Sequence, residues 1–346
     1  MQASSKNSTF ALKDKRDTNM RSVAEIQALI EKKITNIEYN HPAPGLFEPI
    51  AYILSLGGKR LRPLLTVMAC ELFSGKTDDS LAPAIGIELF HNFTLLHDDL
   101  MDKADKRRGK LTVHKKWDDN AAILSGDALH VLAFEYMLQT PSPVLSEVLE
   151  LFTRTAMEIC AGQQYDMEFE QRMDVSKEEY MEMIRLKTAV LLGCSLKTGA
   201  IIGGAGNNDA EALYQFGINI GLAFQLKDDL LDVYADTEKF GKNIGGDILC
   251  NKKTYLLISA LEQAEGELKH QLLEQLKRNP ETASEKADKI AQVTAIYNQL
   301  NLKSQIEQAM SKYYNMALSF LSKIDIETER LSMLSQLAGN LMYRES

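Results

Sequence analysis

Two acidic runs of the form Asp-Asp-x-x-Asp contain the side chains best suited to chemistry, and their first aspartates, Asp98 and Asp228, lie 130 residues apart. The runs follow apolar segments of helical character, residues 85–96 and 216–226. On a helix with 3.6 residues per turn, the first and last aspartates of a run project from one face, one turn apart. Crowded carboxylates cost free energy unless cations neutralise them. The pattern therefore favours hard divalent ions, which take oxygen ligands and share them with phosphates.

Basic and glycine-containing segments accompany the acidic runs. Arginines follow the first run in residues 105–110, and glycines with lysines follow the second in residues 240–248 and 251–254. A Gly-Gly turn with three cations lies in residues 57–63. The guanidinium fork of arginine suits phosphate, glycine lets a backbone approach a ligand, and lysines are mobile point charges. Taken singly, each segment is more often a solvated loop than an anion site.

Further polar residues interrupt segments that are otherwise apolar. Lys187 and Thr188 lie in one such segment, Gln225 lies three residues before Asp228, and His91 lies two turns before Asp98. A polar side chain in such a place must find a partner or face a cavity. For each of them alone, a structural role is the simpler interpretation.

Composition limits the class of protein. The chain has 346 residues, of which 45% are hydrophobic and 25% charged, as in a globular protein with a large core. Its net charge of −9 argues against a nucleic acid partner. The four cysteines are widely spaced and include no Cys-x-x-Cys pair, which is typical of a reducing compartment. No apolar run approaches the roughly 18 residues of a transmembrane helix.

The first 20 residues are polar and mixed in charge, which predicts a disordered leader and not a signal peptide. An organellar presequence stays open, although the acidic residues count against it. The expected location is therefore the cytoplasm.

Helix is predicted nearly throughout, as one all-α domain over residues 21–346. Capping-box patterns begin at Ser22, Ser176 and Thr282, and period-two alternation is scarce. The predicted helices are 22–39, 46–56, 61–73, 79–102, 117–139, 144–171, 176–202, 208–235, 252–277, 283–298, 302–322 and 326–342.

Taken together, these features resemble the trans-isoprenyl diphosphate synthases, also called polyprenyl synthetases, over about residues 46–344. The matching motifs occur in the family's order: GGKRLRP, HDDLMDKADKRRG, the Lys187-Thr188 pair, FQLKDDLLD, FGKNIGGD and NKKT. The resemblance implies an all-α fold of the isoprenoid synthase type, a bundle of long helices around a deep central cavity. It also implies a homodimer, with both aspartate motifs facing each other across the cavity mouth.

The resemblance further implies a Mg²⁺-dependent condensation of isopentenyl diphosphate with an allylic diphosphate. Several Mg²⁺ ions, typically three, would be held by Asp98, Asp99, Asp102, Asp228, Asp229 and Asp232. The allylic diphosphate would be bound by Arg107, Lys187, Lys242 and Lys252, and the allylic cation would face Thr188 and Gln225. Isopentenyl diphosphate would bind without metal to Lys59, Arg62, His91 and Arg108.

Product length is expected to depend on Phe93 and Phe90, which lie five and eight residues before Asp98. In the family that the chain resembles, a bulky residue here forms the floor of the elongation cavity. An ideal helix places Phe93 well away from the Asp98 face, so the assignment rests on the resemblance, and an ordinary core phenylalanine is the alternative. An aromatic floor implies fifteen or twenty carbons, and the lack of a two-residue insertion in the first motif favours twenty.

Three other functions are weighed against this one. His97-Asp98 also matches a metal phosphohydrolase signature. That kind of site needs additional histidines as metal ligands, and the chain has only six histidines. A class I terpene cyclase also begins by ionising an allylic diphosphate, but it generally has a different second metal motif. A non-catalytic subunit that sets product length in a heteromer commonly loses one or both aspartate motifs, and this chain keeps both.

Overall fold

The computed structural model describes residues 20–39, 43–74, 77–235 and 244–343, and these form the predicted all-α fold. The helices are α1 (Val23–Thr35), α2 (Pro44–Ser55), α3 (Leu61–Phe73), α4 (Thr77–Met101), α5 (Val113–Lys116), α6 (Asp119–Met137), α7 (Leu145–Glu170), α8 (Lys177–Ile184), α9 (Val190–Gly203), α10 (Asn207–Tyr234), α11 (Gly246–Leu249), α12 (Tyr255–Gln263), α13 (Gly266–Lys277), α14 (Ala283–Gln299), α15 (Leu302–Leu321) and α16 (Thr328–Tyr343). The predicted leader, residues 1–20, lies almost entirely outside the described residues, and the domain boundaries stay a prediction.

Helices α1, α8 and α14 begin where the capping-box patterns predicted. The side chains of Ser22, Ser176 and Thr282 each accept a hydrogen bond from the backbone N–H of the glutamate three residues later. That glutamate's carboxylate accepts one from the cap backbone in return, so donors that a helix start would leave unpaired are satisfied.

The structure departs from the predicted elements in several places. The predicted helix 252–277 is divided into α12 and α13, because Ala264 and Glu265 have extended backbone. The predicted helix 176–202 contains a π turn at Arg185–Ala189, between α8 and α9. The segment after α4 forms a small antiparallel hairpin, β1 (Lys106–Arg107) and β2 (Lys110–Leu111).

The core is built around α4, α9 and α10. Helix α4 packs against α3 and α6, α9 packs between α3 and α10, and α15 packs on α10. Buried apolar side chains from Ile26 to Met342 form one cluster. The aspartate motifs lie at the C-terminal ends of α4 and α10, so two core helices determine where the carboxylates are held.

One helical segment of the described chain, Lys177–Gly203, is long and apolar enough to cross a membrane, with a mean hydropathy of 1.3 in its most apolar window. Since 78% of that window is buried inside the fold, its apolar surface is already covered by other helices. This is the burial of a core helix.

Candidate active site

The first aspartate motif lies at the mouth of a cavity of about 410 Å³. Asp98 lines this cavity together with Lys187, and Phe93 lines it as well. Asp102, one turn beyond Asp98, is exposed at the rim. Partial burial of its carboxyl group and the charge of Asp98 raise the pKa of Asp102. The mouth therefore concentrates negative charge next to an enclosed space.

Asp99, the middle aspartate of this motif, faces away from the cavity mouth and is only 4% exposed. The guanidinium of Arg107, from β1, donates to both of its carboxylate oxygens, at 2.7 Å and 2.8 Å. A two-pronged ion pair of this kind is strong and has a fixed geometry. Two residues predicted for metal and diphosphate binding thus bind each other.

The second motif repeats this division on α10. Asp228 is exposed, whereas the middle aspartate, Asp229, is buried and accepts hydrogen bonds from the hydroxyl of Tyr180 and from the backbone N–H of Tyr255. Burial raises the pKa of Asp229 to about 7. In both motifs, therefore, the middle carboxylate is held by protein groups, and the first aspartate reaches a more accessible side.

Lys187 connects the first motif to a carboxylate that the sequence reasoning missed. Its ammonium donates to Asp98 at 3.1 Å and to Asp166, on α7, at 2.6 Å. Asp166 also lies 3.9 Å from the ammonium of Lys252. The sequence does contain a signal for Asp166. Ile159, Gln163 and Asp166 follow one another at spacings of four and three residues, which places them on one helical face.

The short helix α11 and the loop after it add a second pair of charges. Burial and the charge of Asp232 raise the pKa of Asp247 to about 6. The backbone N–H of Asp247 donates to the Asp232 carboxylate at 3.0 Å. Burial alone would lower the pKa of Lys252, but the surrounding carboxylates, Asp166 first among them, outweigh it and raise that pKa.

The π turn at Arg185–Ala189 determines where Lys187 points. It passes so close to α7 that a Cβ atom on Gly162 would lie 2.3 Å from the backbone nitrogen of Lys187. Only a glycine leaves room for this approach, and a π turn within an α-helix often marks a functional site. The same turn presents Thr188, whose hydroxyl donates to the side-chain oxygen of Gln225 at 3.3 Å.

Two residues predicted for the second anion site, Arg62 and His91, lie in contact. Arg62 donates to His91 Nε2 at 3.1 Å, and the buried Nε of Arg62 has no hydrogen-bond partner in the described structure. Burial lowers the pKa of Arg62 to about 10, and burial with the Arg62 charge lowers the pKa of His91. A guanidinium whose buried Nε has an unused donor is prepared for an anion.

Arg108 and Lys59 complete this basic surface. The guanidinium of Arg108 lies against Gly58, where a Cβ atom would come within 2.8 Å of it. Lys59 is exposed beside this contact. The third cation of the Gly-Gly turn, Arg60, is instead buried in ion pairs with Glu31 and Glu88, at 2.8 Å and 2.9 Å.

Phe93 and Phe90 belong to an aromatic cluster below the first motif. Phe93 lines the cavity, and Phe90 lies behind it with ring centroids 5.4 Å apart. His130, on α6, stacks on Phe93 with centroids 4.8 Å apart and planes 8° from parallel. Asp98 and Phe93 line one cavity despite their different directions on an ideal helix. The sequence reasoning missed His130, whose signal is its spacing of four residues from Phe134.

A metal ion bound to the acidic groups would need further ligands from outside the protein. Among the described residues, no three His, Cys, Asp or Glu side chains are arranged to hold a metal ion by themselves. A hard divalent cation at this mouth would need water or phosphate oxygens to complete its coordination, which is how Mg²⁺ commonly binds. Lys242, also predicted for this site, lies outside the described residues.

Comparisons with known proteins identify the family of the chain. The family model described as polyprenyl synthetase matches residues 43–296. The geranylgeranyl diphosphate synthase of Sulfolobus acidocaldarius is 38% identical over 301 residues, which cover 85% of this chain and 90% of that protein. The geranylfarnesyl diphosphate synthase of Natronomonas pharaonis is 38% identical over 260 residues, covering 70% and 76%.

A crystal structure of a geranylgeranyl pyrophosphate synthase has a TM-score of 0.89 to this chain at 42% identity, and the match covers 94% of this chain and 100% of that one. The family model spans well over half of the sequence and includes both aspartate motifs. The resemblance predicted from the sequence is thereby confirmed: the chain belongs to the polyprenyl synthetase family and is a prenyltransferase.

Proposed function

We propose that the protein condenses isopentenyl diphosphate with allylic diphosphates and releases an all-trans prenyl diphosphate of twenty carbons, with fifteen as the next candidate. The observation that carries this proposal is the arrangement of Asp98 and Lys187 at the mouth of a cavity that Phe93 and Leu191 also line. Charged groups at the mouth suit a diphosphate, and apolar walls suit a prenyl chain.

The donor set fits Mg²⁺. The accessible carboxylates are Asp98, Asp102, Asp228 and Asp232, with Asp166 and Asp247 beside them, and all offer hard oxygen ligands. Burial and the charges of Asp98 and Asp232 raise the pKa values of Asp102 and Asp247, and a divalent cation would offset this cost of ionised carboxylates. Mg²⁺, when bound, would act as a Lewis acid on the diphosphate and make it a better leaving group. Asp99 and Asp229 then act by holding their motifs in place.

Lys187 lines the cavity, and Lys252 lies 3.9 Å from Asp166, to which Lys187 donates. We therefore assign both lysines to the allylic diphosphate, with Lys242 from the segment outside the described residues. Their charges would stabilise the pyrophosphate as it departs. Arg107 would contribute through Asp99, which it already binds at 2.7 Å.

Isopentenyl diphosphate is assigned to Lys59, Arg62, His91 and Arg108. This surface presents cations and no aspartate of either motif, so it suits an anion without a metal ion. Arg62 and His91 also line the main cavity, which would place the double bond of the second substrate near the allylic carbon.

The reaction would then follow from the positions of the two substrates. The allylic C–O bond breaks, the double bond of isopentenyl diphosphate attacks the allylic carbon, and the pyrophosphate that has left accepts the proton. Thr188 and Gln225 would turn dipoles toward the cation, and the apolar walls would keep out water. No protein nucleophile is needed.

Product length is assigned to the floor that Phe93 forms with Phe90 and His130. The rings of Phe90 and His130 both pack against Phe93, so its side chain has little room to move. Replacing Phe93 with Ala should lengthen the products, and His130→Ala should do so to a smaller extent because Phe93 would still obstruct the cavity. Unchanged products from Phe93→Ala would remove the floor assignment.

We further propose a homodimer formed through α6. Leu124, Val131 and Leu138 follow one another at intervals of seven residues and are 58%, 61% and 57% exposed. Such an apolar stripe on a surface helix is typical of an interface. A second copy offers the same stripe, as a two-fold contact requires. Analytical ultracentrifugation of Val131→Glu should give a monomer where the parent gives a dimer.

The cytoplasm remains the proposed location. Cys160, Cys194 and Cys250 form no disulfide within the part of the chain that the structure describes, which is compatible with a reducing compartment. Fractionation of cells that express the full chain tests this directly.

The decisive experiment is a product assay. The purified protein is incubated with labelled isopentenyl diphosphate and, in turn, dimethylallyl, geranyl or farnesyl diphosphate, with Mg²⁺ or with a chelator. We expect elongation that depends on Mg²⁺ and stops at one length. A cyclic hydrocarbon formed from one allylic diphosphate alone would indicate a terpene cyclase, and no product with any primer would indicate a non-catalytic subunit.

A further inference from the structure

Lys289, on α14, is a buried lysine that the proposed chemistry does not use. Its side chain is 0% exposed, and its ammonium donates to Asn251 Oδ1 at 2.9 Å and to the carbonyl oxygen of Arg278 at 3.2 Å. Both acceptors are neutral, and burial lowers the pKa of Lys289. Burying an ammonium against neutral oxygens costs free energy, so stability alone is a poor reason for a lysine here.

Its partner Asn251 has a backbone conformation that side chains rarely adopt. Asn251 has φ of +52°, in the left-handed region. Its side-chain Nδ2 donates to the Leu276 carbonyl at 2.9 Å while its Oδ1 accepts from Lys289. The side-chain amide of Asn251 is thus hydrogen-bonded through both its nitrogen and its oxygen. Because the ammonium of Lys289 can only donate, it requires the amide oxygen to face it.

The next residue after this turn is Lys252, which we assign to the allylic diphosphate. The N–H of Lys252 donates to the Asp247 carbonyl at 2.9 Å, and its ammonium lies 3.9 Å from Asp166. Because the left-handed backbone of Asn251 sets the direction in which the chain enters Lys252, a change of that conformation would turn Lys252 away from Asp166.

Helix α14 supports the other end of the same segment as well. Ile290, the residue after Lys289, lies so close to Gly245 that a Cβ atom there would be 2.6 Å from its Cδ1. The N–H of Gly245 donates to the Asp232 carbonyl at 2.6 Å. Residues 245–252 are therefore held between α14 on one side and the second aspartate motif on the other.

We propose that Lys289 is a positioning residue of the active site: its ammonium fixes the left-handed turn at Asn251, and that turn aims Lys252 at the allylic diphosphate. This inference rests on the proposed function and deepens one part of it. Lys289 itself contacts neither of the assigned substrate sites.

The first test replaces Lys289 with Met, which keeps the length of the side chain and removes its donors. We expect the KM for the allylic diphosphate to rise and kcat/KM to fall by about tenfold or more, as for residues that orient a ligand-binding group. The KM for isopentenyl diphosphate should stay unchanged, because none of the residues assigned to it lies in residues 245–254. Equal losses for both substrates would overturn the proposal.

Lys286→Met is the matched control. Lys286 lies on the same helix, three residues earlier, and is exposed. The kinetic constants of this variant should equal those of the parent. If Lys289→Met does not fold, Lys289→Gln takes its place, since the amide retains a donor for one of the two oxygens.

A double-mutant cycle separates positioning from general damage. In a Lys252→Ala background, adding Lys289→Met should change kcat/KM by less than about twofold, because the residue that Lys289 acts through is absent. A further loss of about tenfold in that background would overturn the proposal. Asn251→Gly should restore part of the lost activity to Lys289→Met, because glycine adopts a positive φ unaided. No recovery would count against the turn as the route.

Binding of inorganic pyrophosphate with Mg²⁺, measured by calorimetry, distinguishes the two levels of proposal. If the parent forms no prenyl product, the proposed function fails, but weaker pyrophosphate binding by Lys289→Met, by about tenfold, would still support the positioning role. If the parent is active and Lys289→Met binds pyrophosphate as the parent does, the positioning role fails alone.

Discussion

The two aspartate motifs have the same pattern and different surroundings. The middle aspartate of the first, Asp99, is paired with the guanidinium of Arg107, whereas that of the second, Asp229, is held by the Tyr180 hydroxyl and a backbone N–H. Burial raises the pKa of Asp229 to about 7, although the hydrogen bonds from Tyr180 and Tyr255 act in the opposite direction. Identical motif positions therefore have different partners, a cation in the first motif and neutral donors in the second.

The two motifs also differ in how far along the chain their support lies. Arg107 is eight residues from Asp99, on the hairpin that directly follows α4. Tyr180 is 49 residues from Asp229 and reaches it from another helix. The first motif is completed by local structure, and the second is completed only when α8 packs beside α10.

The largest expected effect concerns the feature that the two motifs share, an accessible first aspartate. Asp98→Ala and Asp228→Ala should each reduce kcat/KM by about a thousandfold or more, since each removes an accessible carboxylate and metal ions contribute several kcal/mol of charge stabilisation. Steady-state kinetics with a saturating second substrate measures this, and circular dichroism should show an unchanged helix content. Near-normal activity in either variant would end the assignment of that motif to metal binding.

Much of this arrangement could be predicted because it depends on local patterns. Capping boxes placed the starts of α1, α8 and α14, and helical periodicity placed both motifs at the ends of core helices. The pairing of Asp99 with Arg107 could not, since residue types alone do not tell whether a guanidinium binds a substrate or the neighbouring carboxylate.

A second expected effect concerns Lys187, which links the first motif to Asp166. Gly162→Ala would place a Cβ atom 2.3 Å from the backbone nitrogen of Lys187, so the π turn must shift and Lys187 must leave Asp98 or Asp166. A displacement of about 1 Å can cost about a hundredfold in rate. We expect that loss in kcat/KM for the allylic diphosphate. Thermal unfolding is the companion measurement, and full activity with an unchanged melting temperature would contradict the close approach.

These contacts show why part of the site escaped prediction. Asp166 lies in a helix whose sequence has no acidic motif, and it becomes a site residue only because Lys187 and Lys252 approach it from two other elements. His130 likewise joins the aromatic cluster below the first motif through its stacking on Phe93. Tertiary packing creates these roles, and a single sequence does not record it.

The third prediction measures the difference between the motifs directly. Asp99→Asn leaves the largely buried guanidinium of Arg107 facing a neutral amide, and should lower the free energy of unfolding by about 2–3 kcal/mol. Asp229→Asn keeps an oxygen that accepts from both neutral donors, so about 1 kcal/mol is expected. Urea denaturation gives both values.

The control for this pair is Glu150→Gln, on the exposed side of α7, which should change the free energy of unfolding by no more than about 0.5 kcal/mol. Equal losses for Asp99→Asn and Asp229→Asn would mean that the partner's charge does not distinguish the two motifs.

The smallest expected effect isolates the neutral donor of the second motif. Tyr180→Phe removes one hydroxyl, while the N–H of Tyr255 still donates to Asp229 at 3.2 Å, so the loss should be about 1 kcal/mol in the free energy of unfolding. Tyr234→Phe, on the same helix as the motif, removes a more exposed hydroxyl bonded to Asn298 and should cost less. If the two variants lose equal stability, the backbone N–H and packing suffice to hold Asp229. The second motif would then differ from the first only in lacking a cation, and Tyr180 would have no part in the difference.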